Sequence, residues 1–154
     1  MINEKVSSIS KKILLVEDNE RDTELTLLIL SELNLIENAI IVNDGVEALE
    51  FLQGKGKYSN VSRDFPYLIL LDLKMPKIDG FEVLKEIKQD HFLKNIPVVI
   101  FTSSTQESDI KKAYELGANA YVVKSIDFEE FSKAIKEICS FWLKINSSSI
   151  GLSK

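Results

Sequence analysis

YLILLDLKMPKIDG, residues 67–80, is the stretch that decides the fold. Tyr67 to Leu71 are all apolar or aromatic and run directly into Asp72. A run without polar alternation fits a strand covered on both faces, as in a parallel sheet between helical layers. Asp72 is the first charged residue at the carboxyl end of that strand. In open α/β sheets this edge is where ligands and chemistry gather. Met75-Pro76 ends the extended run, and Asp79-Gly80 signals a turn into a helix.

The same grammar recurs outward in both directions. Upstream, Lys12 to Val16 (KILLV), apolar after its first residue, is a run that ends in Glu17-Asp18. Asn19 can cap the next helix, with Asp22 in its first turn favourable to the helix dipole. Leu25, Leu28, Ile29 and Leu33 have the spacing of its inward face. Ala39 to Val42 is a short β-rich run, and Asp44 followed by Glu47 has capping-box spacing before a helix through Ala48, Leu49 and Leu52. Gln53 to Pro66 reads as a polar surface loop, long for a helix-to-strand connection. Downstream, Phe81 to Gln89 is helical, with Leu84 and Ile87 on one face. Pro97 opens Val98 to Phe101, which ends in Thr102-Ser103-Ser104, and Ser104 to Glu107 again has capping-box spacing. Ile110, Ala113 and Tyr114 supply the next inner face, and Gly117 suits a helix stop. Ala120 to Val123 runs into Lys124. Asp127 and Glu130 then open a last helix with the stripe Phe131, Ile135, Ile138 and Trp142. Phe141 beside Trp142 cannot face the same way, which suggests that one of them lies in an interface. Five strands, each followed by a helix, predict an α/β doubly wound parallel sheet with helices on both faces.

Composition narrows the possibilities. A chain of 154 residues, 45% hydrophobic and 28% charged, is one globular domain with a real core. We expect an N-terminal arm over 1–10, a domain over 11–146 and a polar tail over 147–154. A net charge of −5 argues against a nucleic-acid partner. The single cysteine, Cys139, makes no intramolecular disulfide and reads as a packing residue. No apolar run approaches the ~20 residues of a membrane span, and Met1 to Ser10 lacks the apolar segment of a secretory signal. The expectation is a cytoplasmic protein.

In a parallel sheet all strands point one way, so Glu17-Asp18, Asp72, Thr102 and Lys124 share an edge. Three carboxylates together repel, and a divalent cation relieves that. All-oxygen ligands favour Mg2+. No Cys or His lies at these strand ends, which argues against zinc. A hydroxyl and an ammonium beside the cation suit a doubly charged phosphoryl group. The chemistry implied is attack of the Asp72 carboxylate on phosphorus to give an acyl phosphate, its oxygens stabilised by the cation, Lys124 and Thr102.

LLVEDN (14–19), LILLDLKMPKIDG (68–80), VVIFTSS (98–104) and YVVK (121–124), in this order and each at a strand end, resemble a response-regulator receiver domain over Lys11 to Ile145. The resemblance implies a flavodoxin-like five-stranded sheet in the order 2-1-3-4-5 with five helices. It implies that Asp72 accepts a phosphoryl group from the phosphohistidine of a sensor histidine kinase in two-component signalling. Asp18 and Asp72 would ligate Mg2+ (or Mn2+), Glu17 would act through water, and the Lys74 backbone carbonyl would be a further ligand. Thr102 and Lys124 would hold the phosphoryl group, and small Ser103 would leave access to it. Tyr121 matches the family's switch aromatic, which turns inward when Thr102 moves toward the phosphate. The segment IKQDHFLKNIPVV (87–99), the loop after Phe51-Leu52 and the ending FW (141–142) resemble the stand-alone regulators that partner phytochrome-type kinases. Members of that group are typically homodimers through the fourth-helix, fifth-strand, fifth-helix face. Receivers usually carry a cis proline after the strand-end lysine. Ser125 stands there, and a trans bond is the expectation.

Two other functions compete. An Mg2+-dependent phosphohydrolase would place a second acid two residues after the nucleophile, where Lys74 stands. A flavin-mononucleotide binder would need a Ser/Thr/Gly-rich loop after the first strand, where Glu17-Asp18 would repel phosphate. The reading is a phosphoacceptor signalling domain and not an enzyme with its own output.

Overall fold

A computed structural model of the chain describes residues 11–59 and 65–150. The arm expected over 1–10, the centre of the loop over 60–64 and the end of the tail over 151–154 lie outside the described residues. Five strands, β1 (Ile13–Val16), β2 (Ala39–Val42), β3 (Leu68–Leu71), β4 (Val98–Thr102) and β5 (Ala120–Val123), form one parallel sheet in the order β2-β1-β3-β4-β5. Five α-helices follow them: α1 (Glu20–Glu32), α2 (Gly45–Gln53), α3 (Gly80–Gln89), α4 (Glu107–Glu115) and α5 (Phe128–Ser140). A π-helical turn, Phe141–Ile145, continues α5.

The unbroken apolar runs split between two layers, because successive strand side chains point to opposite faces. Leu14, Val16, Ile69, Leu71, Val98 and Ile100 pack against α2, α3 and Ala113 of α4. Ile13, Leu15, Leu68, Leu70, Val99 and Phe101 pack against α1 and α5. Phe101 and Phe131 meet edge-on at 5.2 Å across the second layer. The outer strands β2 and β5 are only partly covered.

Local signals hold at most helix starts. The side chains of Asn19, Asp44 and Asp79 each accept from a backbone N–H three residues on. Three readings need correction. On α1 the buried positions are Thr26, Ile29 and Leu30, and Leu28 is 51% exposed. Ile29 is buried as expected and Leu25 and Leu33 pack partly on the core, but the inward face takes in Leu30 and the polar Thr26 in place of Leu28. Tyr114, expected on the inner face of α4, is 50% exposed, since it lies ~100° round the helix from buried Ala113. The Ser104–Glu107 capping box does not form. Gln106 is the N-cap residue of α4, and Ser104 Oγ instead donates to Asp109 Oδ2 at 2.6 Å.

Part of the long loop is structured. Gly54, at φ +67°, stops α2, and a 3-10 turn at Gly56–Tyr58 folds back on it. Tyr58 Oη donates to Glu47 Oε2 at 2.8 Å, and the Tyr58 ring meets Phe51 edge-on. Phe141 and Trp142 diverge as expected. Trp142 packs on the second layer and Phe141 is exposed. At the far end of the sheet, Lys88 Nζ donates to Lys94 O, Ile96 O and Asn119 Oδ1 at 2.9–3.1 Å, and Asn119 Oδ1 also accepts from Val98 N.

Candidate functional site

Parallel register brings the strand tips to one edge. Val16 pairs with Leu71, Leu71 with Ile100 and Thr102 with Val123, so the residues that follow are neighbours in space. The ladders continue one rung further. Asp72 N–H donates to Val16 O at 3.1 Å, Glu17 N–H to Val42 O at 3.1 Å and Lys124 N–H to Thr102 O at 2.7 Å. The backbones of Glu17, Asp72 and Lys124 are therefore fixed by the sheet itself.

The loop after β3 closes tightly beneath Asp72. Gly80 N–H donates to Leu73 O at 2.8 Å. A Cβ on Gly80 would lie 2.2 Å from Asp72 O and 2.7 Å from Leu73 Cα, so only glycine fits. Lys77 in this loop adopts φ +67° and its ammonium sits 3.4 Å from Asp44 Oδ2.

Carboxylate oxygens of Glu17, Asp18 and Asp72 lie within 4.8 Å of one another. Glu17 and Asp72 are buried and Asp18 is exposed, which leaves one side open to solvent. This oxygen-only donor set can hold a hard divalent cation. Lys124 Nζ is 2.5 Å from Glu17 Oε1, 2.9 Å from Asp22 Oδ2 and 3.3 Å from Asp72 Oδ2, with its side chain only 7% exposed. Burial opposes its charge, but Asp72, Asp22 and Glu17 outweigh that and hold the ammonium above the ordinary lysine range.

Thr102 is fully buried, and its Oγ1 has no hydrogen-bond partner among the described residues. A buried hydroxyl without a partner costs on the order of 1–3 kcal/mol, so Thr102 Oγ1 is able to bond a group brought to this edge. Ser103 is exposed beside it. Lys74 and Asp18 line a shallow groove with Met75, Pro76, Phe81 and Asp109 that opens next to the cluster. Tyr121 is half-buried, and its Oη donates to Ser104 O at 3.0 Å. The described residues contain no cis peptide bond. Lys124 reaches the carboxylates without the proline, and Ser125 Oγ accepts from Asp127 N at 3.1 Å to lead into α5.

All the residues singled out at the strand tips thus lie at one edge. Asp22 is the member that the sequence reading credited only with a helix-dipole role. Helical side chains point back toward the N-terminus, so an acid in the first turn after a strand tip returns toward that tip. That geometry is the signal that could have found it.

Burial pushes the Glu17 carboxyl up to about 7 from 4.5; Lys124 pulls it down by hydrogen bond and the Asp72 charge adds to the rise. Between those values the folded state binds the proton that the unfolded state has lost. Without metal, this stabilisation is therefore full below about pH 4.5 and is lost as pH rises through about 7, a contribution on the order of 3 kcal/mol. Urea unfolding in chelator should show stability falling between pH 5 and 7.5 for the wild type, and a flatter profile for Glu17→Gln. Equal slopes would remove Glu17 as the cause.

The family described as the response regulator receiver domain matches residues 13–136. Response regulator Rcp1 of Synechocystis sp. is 46% identical over 138 residues, spanning 90% of this chain and 92% of that protein. The probable methanogenesis regulatory protein FilR2 of Methanothrix harundinacea is 38% identical over 136 residues, 88% of this chain and 86% of that one. Among solved structures, the phosphorylated cyanobacterial phytochrome response regulator RcpA superposes with a TM-score of 0.84 at 44% identity, covering 90% of this chain and 98% of that one. The Mn2+-bound form of Rcp1 gives 0.83 at 46% identity, with the same coverage. With its sheet order, its clustered strand-tip residues and these relatives, the chain belongs to the response-regulator receiver-domain family.

Proposed function

We propose that Asp72 accepts a phosphoryl group from a sensor histidine kinase, and that the resulting aspartyl phosphate switches protein–protein contacts. The observation that carries this reading is the buried, unpartnered Thr102 Oγ1 together with the Lys124 ammonium at the Asp72 carboxylate. Both groups can serve phosphoryl oxygens, and neither is explained by packing. In the transfer, an Asp72 oxygen forms the new bond to phosphorus as the phosphorus–nitrogen bond of phosphohistidine breaks, its electron pair leaving on the imidazole. Glu17, Asp18, Asp72 and the Lys74 carbonyl would hold Mg2+, or Mn2+ in its place, as the Mn2+-bound relative suggests. The cation supplies charge neutralisation at the phosphoryl oxygens. Lys124 donates to one oxygen and Thr102 to another, while exposed Ser103 leaves the entry open. Tyr121 acts as the switch aromatic.

The domain is a phosphoacceptor with no catalytic output beyond handling its own phosphoryl group. Lys74 stands where a phosphohydrolase would carry its second acid. Similarity to the phytochrome response regulator RcpA favours a phytochrome-type kinase as donor; among the described residues no helix is long and apolar enough to cross a membrane. Exposed Tyr114, Val123 and Phe128 favour a homodimer through the α4-β5-α5 face.

The test is intact mass after incubation with acetyl phosphate. We expect a gain of one phosphoryl group that requires Mg2+ and is discharged by hydroxylamine, as an acyl phosphate is. A gain that survives hydroxylamine, or none at all, would defeat the reading.

A further inference from the structure

We propose that Asp22 is the positioning carboxylate that takes over Lys124 when a divalent cation occupies Glu17 and Asp72. The inference rests on the cation-binding reading above. Lys124 has three N–H donors and three carboxylate partners: Glu17, Asp22 and Asp72. Two of these, Glu17 and Asp72, belong to the cluster able to hold a cation, and Asp22 does not. An ammonium and a divalent cation compete for the same oxygens. Turning Glu17 aside to settle the contest would break the bond that its Oε2 accepts from Asn19 N–H at 3.1 Å. Lys124 must therefore yield, and its side chain is too buried to reach water without a partner.

Asp22 supplies that partner from a fixed position. Its N–H is held by the Asn19 side chain at 2.9 Å, which locks it in the first turn of α1. Its carboxylate is 19% exposed and already 2.9 Å from Lys124 Nζ. With Asp22 present, Lys124 gives up the cation's oxygens while staying at the rim of the site, within reach of an incoming phosphoryl group. Asp22 acts through Lys124 and touches no reacting atom.

Calorimetric Mg2+ titration of the full chain tests this as a double-mutant cycle. Asp22→Asn should raise the Mg2+ Kd about tenfold, and Asp22→Glu should stay within about threefold of wild type. In a Lys124→Met background, where nothing needs a second anchor, Asp22→Asn should change Kd by less than about twofold. An equal loss in both backgrounds would reduce Asp22 to a nearby negative charge and overturn the inference alone. So would an unchanged Kd in Asp22→Asn. Failure of the wild type to bind millimolar Mg2+ would overturn both the inference and the function on which it rests.

Discussion

Asp72→Asn should lose phosphoryl uptake by about three orders of magnitude or more, which in an intact-mass experiment reads as no gain. The substitution removes the nucleophile while keeping its shape. The fold should survive, because the backbone bond from residue 72 to Val16 O does not involve the side chain. Lys124 keeps Glu17 and Asp22 as partners, so no buried ammonium is stranded. The acidic cluster falls from three carboxylates to two, and Mg2+ binding should weaken with it. Circular dichroism and thermal unfolding of the variant, beside its mass after acetyl phosphate, check all three points. A phosphoryl gain at the wild-type rate would place the acceptor elsewhere.

Gly80→Ala should destabilise the protein by about 3 kcal/mol or more. Most glycine-to-alanine changes at a helix start are mild, but here the added methyl meets backbone on two sides: Asp72 O at 2.2 Å and Leu73 Cα at 2.7 Å. No flexible side chain can swing away to admit it. Relief requires α3 to withdraw from the end of β3, which drags on the residue that carries the chemistry. Stability and phosphoryl uptake should therefore fall together, whereas Gly54→Ala, remote from the site, should cost stability alone. Urea unfolding and mass spectrometry on the same samples measure both. A Gly80→Ala protein with wild-type stability would contradict the packing described at this turn.

The sheet and its edge were legible because each apolar run ends abruptly in a residue of distinct chemistry. Tyr67 to Leu71 before Asp72, and Lys12 to Val16 before Glu17, give direction as well as position. Helix faces were less legible where a polar residue took a core place, as Thr26 does, or where an aromatic sat at the margin of a short helix, as Tyr114 does. The capping signal at Ser104 misled because its hydroxyl had a stronger partner in Asp109. The pairing of Asp22 with Lys124 was not legible because the two lie 102 residues apart in sequence, a proximity that only the closed sheet creates.

The lysine at the opposite end of the sheet bears on how motion can travel. Lys88 gathers two loop carbonyls and the Asn119 side chain, and Asn119 is itself bonded to the first residue of β4. The incoming end of β5 is thus riveted to α3, while its outgoing end is held by Thr102 O and by the carboxylates around Lys124. A beam clamped at one end and loaded at the other tilts about the clamp. A displacement of Thr102 should then tilt the edge strand most at its outgoing end, where Val123 is exposed and the exposed Ile126 follows it.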